Sequence, residues 1–235
     1  MSEYRYHRIL LKLSGEAVEG KDGIIDFAFM DRIARTLITL VEGGVEVGVI
    51  FGAGNIWRGR AGGDMDRVTA DRMGMLATVI NSLACKDAVL RAGGKCRVMT
   101  STPMEPYAEY YNTDTARRLL AEGNVVIFAG GSGCPYFSTD TAGILRAAEI
   151  NADVFLLAKR CDGIYDKDPG KNPDAKRYDS VSYTEVMTKK LRAIDLTASA
   201  FGADFGPEAY VFKLDDTEDI LKACRGEVSG TTITQ

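Results

Sequence analysis

Short runs of consecutive apolar residues alternate along this chain with longer segments whose apolar residues recur every three or four positions. Few architectures accommodate that alternation. Arg8–Leu13 (RILLKL), Val45–Phe51 (VEVGVIF), Cys96–Thr100, Val125–Ala129 (VVIFA) and Val154–Ala158 (VFLLA) read as strands. Between the first two, Met30, Ile33, Ala34, Leu37, Leu40 and Val41 mark an amphipathic helix, opened by Asp26 as N-cap and closed at Gly43-Gly44. Met73, Leu76, Ile80 and Leu83 mark a second helix, and helices are also expected over 113–122 and 141–150. The first two-thirds is therefore β-α-β-α-β-α-β-α-β. Helical crossovers of this kind give a mainly parallel sheet covered on both faces, and strands without polar alternation fit it because both their sides are buried.

The last third is less regular. Residues 159–178 read as a long loop rich in Asp, Lys, Pro and Gly, and Ser182–Glu185 as a capping box opening a short helix. A helix is expected from near Asp195, a strand over 209–213, a helix over 217–224 and a terminal strand over 230–234. No linker, repeat or low-complexity tract interrupts the 235 residues, so residues 1–235 are expected to form one domain.

Composition excludes several chemistries. The single histidine, His7, rules out multi-histidine metal sites and leaves it as an exposed residue before the first strand. The five cysteines (85, 96, 134, 161 and 224) are odd in number and contain no CxxC spacing, which reads as reduced thiols in a cytoplasmic protein. The N-terminus carries charges and a short apolar run and is not expected to be a signal peptide, and no apolar stretch reaches membrane-spanning length. A net charge of −4 argues against a nucleic-acid-coating surface but not against local phosphate sites.

In a parallel sheet, ligands bind beyond the carboxyl ends of the strands. Four such ends are polar and glycine-rich: Ser14-Gly15-Glu16, Gly52-Ala53-Gly54-Asn55, Gly130-Gly131-Ser132-Gly133 and the loop after Lys159. Glycines let backbone N–H groups approach an anion, so a phosphate site is expected there. Gly15–Lys21 fits GxxxxGK, but Asp22 stands where a P-loop needs Ser or Thr, and Gly52-Ala53-Gly54 has Trp57 where a dinucleotide-binding turn needs glycine. Lys12 is the lone charge closing RILLKL, either a surface lysine or a phosphate clamp; Arg58 is either solvated or a second cation. Asp71, Asp140, Asp162, Asp168 and Asp195 are the accompanying acids, though Asp140 and Asp162 also suit a helix cap and a turn. Cations, acids and glycine turns without histidine suit phosphoryl transfer, which needs positioning and charge neutralisation more than a covalent nucleophile.

The segments RILLKLSGEA, FGAGNIWRG, DRMGMLATVINSLA, FAGGSGCPYFSTDTAGILRAAEI, DGIYDKDPGKNPDAKRY, IDLTA and GTTI, in this order over nearly the whole chain, resemble the bacterial UMP kinase family of the amino acid kinase superfamily. The resemblance implies a three-layer α/β/α sandwich, a homohexamer built from dimers, and in-line transfer from MgATP to UMP, with Mg²⁺ carried mainly by the ATP phosphates. It implies catalytic roles for Lys12, Arg58, Asp140 and Asp195. It implies ATP contacts from Lys12, Leu13, Ser14, Gly15, Gly54, Arg58, Lys159, Tyr165 and Asp168. It implies UMP contacts from Ala53, Asp71, Ser132, Gly133, Cys134, Pro135, Tyr136, Phe137, Ser138 and Thr139. Relatives are often inhibited by UTP and activated by GTP, though not uniformly.

Ala53, Ser132, Cys134 and Lys159 depart from the family pattern of Gly, Thr, Asn and Thr. The charged set is intact, so these read as tuning. Two other readings are a superfamily kinase acting on a carboxylate or carbamate, and a non-catalytic oxyanion-storing protein on the same fold. The uridylate-site segments argue against the first, and joint retention of Lys12, Arg58, Asp71, Asp140 and Asp195 argues against the second.

Overall fold

The computed structural model of the protein describes residues 3–21, 23–57, 63–191 and 194–235. The elements run in the order β1 (Arg8–Leu13), a 3-10 turn (Gly15–Ala17), α1 (Phe27–Glu42), β2 (Glu46–Phe51), α2 (Arg67–Arg91), β3 (Cys96–Thr100), β4 (Glu109–Tyr110), α3 (Thr113–Ala121), β5 (Val125–Ala129), α4 (Thr139–Glu149) and β6 (Val154–Lys159). They continue with β7 (Ile164–Tyr165), β8 (Arg177–Tyr178), β9 (Ser180–Ser182), α5 (Tyr183–Thr188), α6 (Leu196–Phe205), β10 (Glu208–Lys213), α7 (Glu218–Arg225) and β11 (Gly230–Thr234).

Among the described residues one nine-stranded sheet has the order β4-β3-β5-β2-β1-β6-β10-β11-β9, and only the β10–β11 pair is antiparallel. The strands alternate strictly between two cores. Ile9, Leu11 and Leu13 of β1 point into the core shared with α1, α2 and α7, whereas Leu10 points into the core shared with α3, α4, α5 and α6. Lys12 continues the Leu10 face, flanked in register by Ile50 of β2 and Leu157 of β6. Its position therefore follows from the two-residue period of a strand: the face that is apolar at Leu10 ends in an ammonium at the sheet's carboxyl edge. Three layers around a mainly parallel sheet were expected, and this is the arrangement found.

Glycine sets the distance between sheet and helix at one point. Gly143 of α4 lies over Phe155 of β6, and a Cβ built there stands 2.8 Å from the ring's Cε2, closer than real side chains approach. Gly143→Ala gains roughly 1 kcal/mol of helix propensity but forces α4 off the sheet, an overpacking cost of about 1–3 kcal/mol. We expect a lower melting temperature and a lower rate together, because α4 carries the site described below; thermal unfolding of the variant checks this.

Two differences from the sequence reading are physical. The loop over 159–178 contains a small antiparallel ladder, Ile164 opposite Tyr178 and Tyr165 opposite Arg177, too short for periodicity to reveal. On α2 the apolar stripe faces the core only in part, through Leu83. Ala70, Ala77, Thr78, Val79, Asn81 and Ser82 are buried, while Leu76 and Ile80 are half exposed. Small and polar residues let α2 sit close to the loops it braces; Val79, Leu83 and Val89 pack on the core, while Leu76, Ile80 and Leu90 are turned outward. Although α2 is long and apolar enough to cross a bilayer by length and composition alone, its inner face is occupied by these contacts.

Candidate active site

The carboxyl edge of the sheet near β1 brings together three of the charged residues picked out in the sequence. Lys12 Nζ lies 2.5 Å from Asp140 Oδ1, and Lys159 Nζ lies 3.7 Å from Asp140 Oδ2. All three side chains are largely withdrawn from water. Asp140 occupies the first turn of α4, where Ser138 caps the helix by accepting its N–H at 2.9 Å. Burial pushes the Asp140 carboxyl upward, but the two lysines more than offset it, so it is held below the ordinary carboxylate value. Burial pulls the Lys159 ammonium below the ordinary lysine value, with Asp140 acting in the opposite direction. The cluster has two cations, one anion and the positive end of a helix, a net attraction for phosphate.

Asp195 hydrogen-bonds to neither Lys12 nor Lys159 among the described residues. It caps α6 by accepting the Ala198 N–H at 2.8 Å, accepts the Thr141 hydroxyl at 3.0 Å and accepts the Ser138 hydroxyl. It ties α6 to the start of α4, and the carboxylate that meets Lys12 is Asp140. Leu13 is fully buried in the core on the opposite face, so only its backbone adjoins the site, and its carbonyl accepts the Gly52 N–H at 2.8 Å. Arg58 lies outside the described residues.

The turns after β1 and β2 touch. Ser14 caps the 3-10 turn by accepting the Ala17 N–H, and a Cβ on Gly15 would collide with the Gly54 nitrogen and lie 2.7 Å from Asn55 Oδ1. Gly15 is therefore required by close approach. Beside them opens a cleft of about 250 Å³ lined by Ala53, Gly54, Trp57, Ala70, Asp71, Gly74, Met75, Thr78, Gly131, Phe137 and Thr139. Asp71, in the second turn of α2, accepts from Arg67 Nε with both oxygens at 2.8 Å and from the Tyr136 N–H at 2.8 Å. Burial raises its carboxyl, but these donors prevail and hold it below the ordinary value.

The loop over 130–137 closes the other side of the cleft. Gly130, Gly131 and Gly133 have positive φ, and Tyr136 adopts φ 72°, an unusual conformation for a residue with a side chain. The Asp71 hydrogen bond holds Tyr136 there. The Ser132 hydroxyl accepts the Cys134 N–H at 3.2 Å, and Cys134, Tyr136 and Phe137 are exposed, with Pro135 partly so. On the far side of β6, Asp162 accepts the Tyr165 hydroxyl at 2.8 Å and pairs with Arg177 at 3.1 Å. Asp168 closes a turn by accepting the Gly170 N–H at 2.9 Å.

Arg67, Trp57, Thr78, Asn81 and Ser101 were not singled out in the sequence. Thr78 Oγ1 accepts the Gly130 N–H at 2.9 Å, and Ser101 Oγ lies 2.7 Å from the Gly131 carbonyl. For Thr78 and Asn81 the one signal was polarity at positions that a helix would bury. His7 is exposed at the amino end of β1, roughly 17 Å from Lys12 at 3.3 Å per strand residue, so it takes no part in the site.

Comparison with known proteins shows the family and the fold. Residues 7–223 match the model of the amino acid kinase family. The uridylate kinase of Haemophilus influenzae (strain 86-028NP) is 46% identical over 236 aligned positions, covering 99% of this chain and 100% of its own. Among solved structures, UMP kinase from Bacillus anthracis superposes with a TM-score of 0.92 at 36% identity, over 97% of this chain and 96% of its own. UMP kinase from Ureaplasma parvum gives 0.92 at 31%, over 98% and 100%. By a match along nearly its whole length, this chain belongs to the amino acid kinase family, among the uridylate kinases.

Proposed function

We infer that the chain is an enzyme that phosphorylates UMP to UDP, with ATP as donor and Mg²⁺ as its counterion. The observation that carries this reading is the Lys12–Asp140–Lys159 cluster beside the Asp71 cleft, at the carboxyl edge of the sheet. The full-length identity to a uridylate kinase supports UMP as acceptor.

The acceptor chemistry explains the residue types. The γ-phosphoryl's bond to ADP breaks, and a new P–O bond forms to a phosphate oxygen of UMP. That oxygen is ionised at neutral pH, because a phosphate monoester's second pKa is about 6, so the site needs no general base. What it needs is neutralisation of two converging polyanions. We assign Lys12 to the phosphoryl in flight, Asp140 to orienting both lysines, and Asp195 to holding the start of α4 against α6. Gly15 and Gly54 line the donor-side turns with Ser14 and the Leu13 backbone, while Lys159, Tyr165 and Asp168 flank the donor. The buried Asp140 carboxylate between Lys12 and Lys159 makes a charge-dense pocket, which fits a magnesium-bound triphosphate. A bound Mg²⁺ would supply charge neutralisation to the ATP phosphates, and Asp140 would help to hold its hydration shell.

We assign Asp71, Ala53 and the loop over 132–139 to UMP. Asp71 is ionised and preorganised, suited to accept from ribose hydroxyls. A site that hydrogen-bonds one base edge rejects the wrong edge because buried groups go unpaired, a discrimination of up to 10⁴–10⁵. UMP is therefore expected to exceed CMP, AMP, GMP and dTMP by at least about 10² in kcat/KM. ADP release over that panel tests both the activity and the assignment. Comparable values for CMP and UMP would remove the uridylate assignment, and absence of turnover with every acceptor would favour a storage protein.

We further propose that residues 1–235 work as one domain, in the cytoplasm, as part of a homohexamer built from dimers. Leu76, Ile80 and Leu90 form a half-exposed apolar row on α2 that fits a subunit contact. Regulation by other nucleotides and a place in pyrimidine nucleotide synthesis belong to the same reading.

A further inference from the structure

Asn81 is fully buried on the inner side of α2. Its Nδ2 donates to the Gly52 carbonyl at 2.8 Å and to Asn55 Oδ1 at 2.9 Å, while its Oδ1 accepts from Asn55 Nδ2 at 2.9 Å. The two carboxamides thus face each other in a reciprocal pair. The remaining Asn55 amide proton goes to the Ile24 carbonyl at 2.9 Å. Every amide proton of the pair is spent, and turning either group over would set oxygen against oxygen.

The pair lies where three parts of the site meet. Gly52 is held on both sides, its N–H by the Leu13 carbonyl of β1 and its carbonyl by Asn81 of α2. Asn55 Oδ1 lies directly over Gly15, 2.7 Å from where a Cβ would stand. The same helix carries Asp71, ten residues before Asn81. A single amide pair therefore sets the spacing between the donor-side turn, the Gly52–Asn55 turn and the helix that lines the acceptor cleft.

We propose that Asn81 is a positioning residue for phosphoryl transfer, acting through Asn55 to hold the Gly52–Asn55 turn at the junction of the two nucleotide sites. The proposal rests on the transferase reading above. It concerns distance between the reactants more than affinity for either. A misplacement of about 1 Å remote from the chemistry can cost roughly 10²-fold in rate.

The test is steady-state kinetics of the full chain over both substrates, below the melting temperature, for Asn81→Leu, Asn55→Ala and the double variant. We expect each single change to lower kcat by about tenfold or more, with the KM values for UMP and ATP within about threefold of the parent. The double variant is expected to be no worse than about threefold below the weaker single, because both remove one pair. A merely structural asparagine would lower the melting temperature and leave kcat per folded molecule within about twofold, and that result overturns the proposal, as does multiplication of the single effects in the double. If Asn81→Leu does not fold, Asn55→Ala at the partly exposed end of the pair decides alone by the same kcat criterion. A parent that forms no UDP overturns the transferase reading and this inference with it, whereas an active parent with an unaffected kcat in the variants overturns this inference alone.

Discussion

Lys12→Ala is expected to lower single-turnover UDP formation by about 10²–10³ while leaving the protein folded. That is the usual loss, about 2.7–4 kcal/mol, when one preorganised electrostatic contact to a developing charge is removed. Lys12 closes the apolar face of β1 and touches Asp140 in a site nearly closed to water, where a charge acts more strongly than on the surface. Lys159 approaches Asp140 from the adjacent strand and on the other oxygen, so it does not reach the same place. It does keep Asp140 partnered, which is why the fold survives. Lys12→Arg is expected to rescue little, since the planar fork is larger and is not a point charge. An exposed lysine changed to alanine would stay within about ±0.5 kcal/mol and leave the rate alone. A variant within tenfold of the parent, with unchanged melting, would remove Lys12 from the mechanism.

Asp140→Asn is expected to be costlier for stability. The change keeps the side chain's shape but strips two buried ammonium groups of their counterion. Breaking a buried pair from one side costs about 3–5 kcal/mol, on the order of 10 °C of melting temperature in a chain of this size. Activity should fall too, because nothing then aims the lysines. The pH dependence has a definite sign. The Asp140 carboxyl is held below its ordinary value of 3.8 in the folded state, so its contribution is present above that value and is lost as pH falls through the folded value. The gap in melting temperature between parent and Asp140→Asn should be full at neutral pH and narrow below about pH 4. A gap that does not change with pH would show that Asp140 contributes through packing instead of charge.

These two residues were legible in the sequence for different reasons. Lys12 stood out because the five other residues of RILLKL include only one further charge, at the strand's opposite end, and the strand period fixed which face the ammonium takes. Asp140 was recognisable as an acid at a helix start, but its partnership with Lys159 depends on β1 and β6 being neighbours, which alternation alone does not determine. Asp195 shows the opposite case. The carboxylate is where the motif put it, yet its hydrogen bonds go to Ser138, Thr141 and the start of α6.

The strands and most helices could be read because burial on both faces leaves an unbroken apolar run. The short strands β4 and β9 could not, since two or three residues carry no period. The helix α2 was found from Met73, Leu76, Ile80 and Leu83, yet the structure buries Ala77, Thr78 and Asn81 instead. The stripe that revealed the helix therefore does only part of its internal packing, through Leu83. Asn81, Thr78 and Ser101 escaped notice because a buried polar residue announces itself only through partners that are distant in sequence: Gly52, Gly130 and Gly131.

The transfer itself gives the most direct test. Enzyme in excess over UMP is mixed with ATP carrying a labelled γ-phosphate and Mg²⁺, then quenched in acid over a series of times. The account predicts label appearing in UDP in one phase, at a rate equal to that of ATP loss, with no labelled protein at any time, because a phosphate oxygen of UMP attacks directly. Label released as inorganic phosphate without UDP, or a labelled protein that forms and decays ahead of UDP, would contradict it.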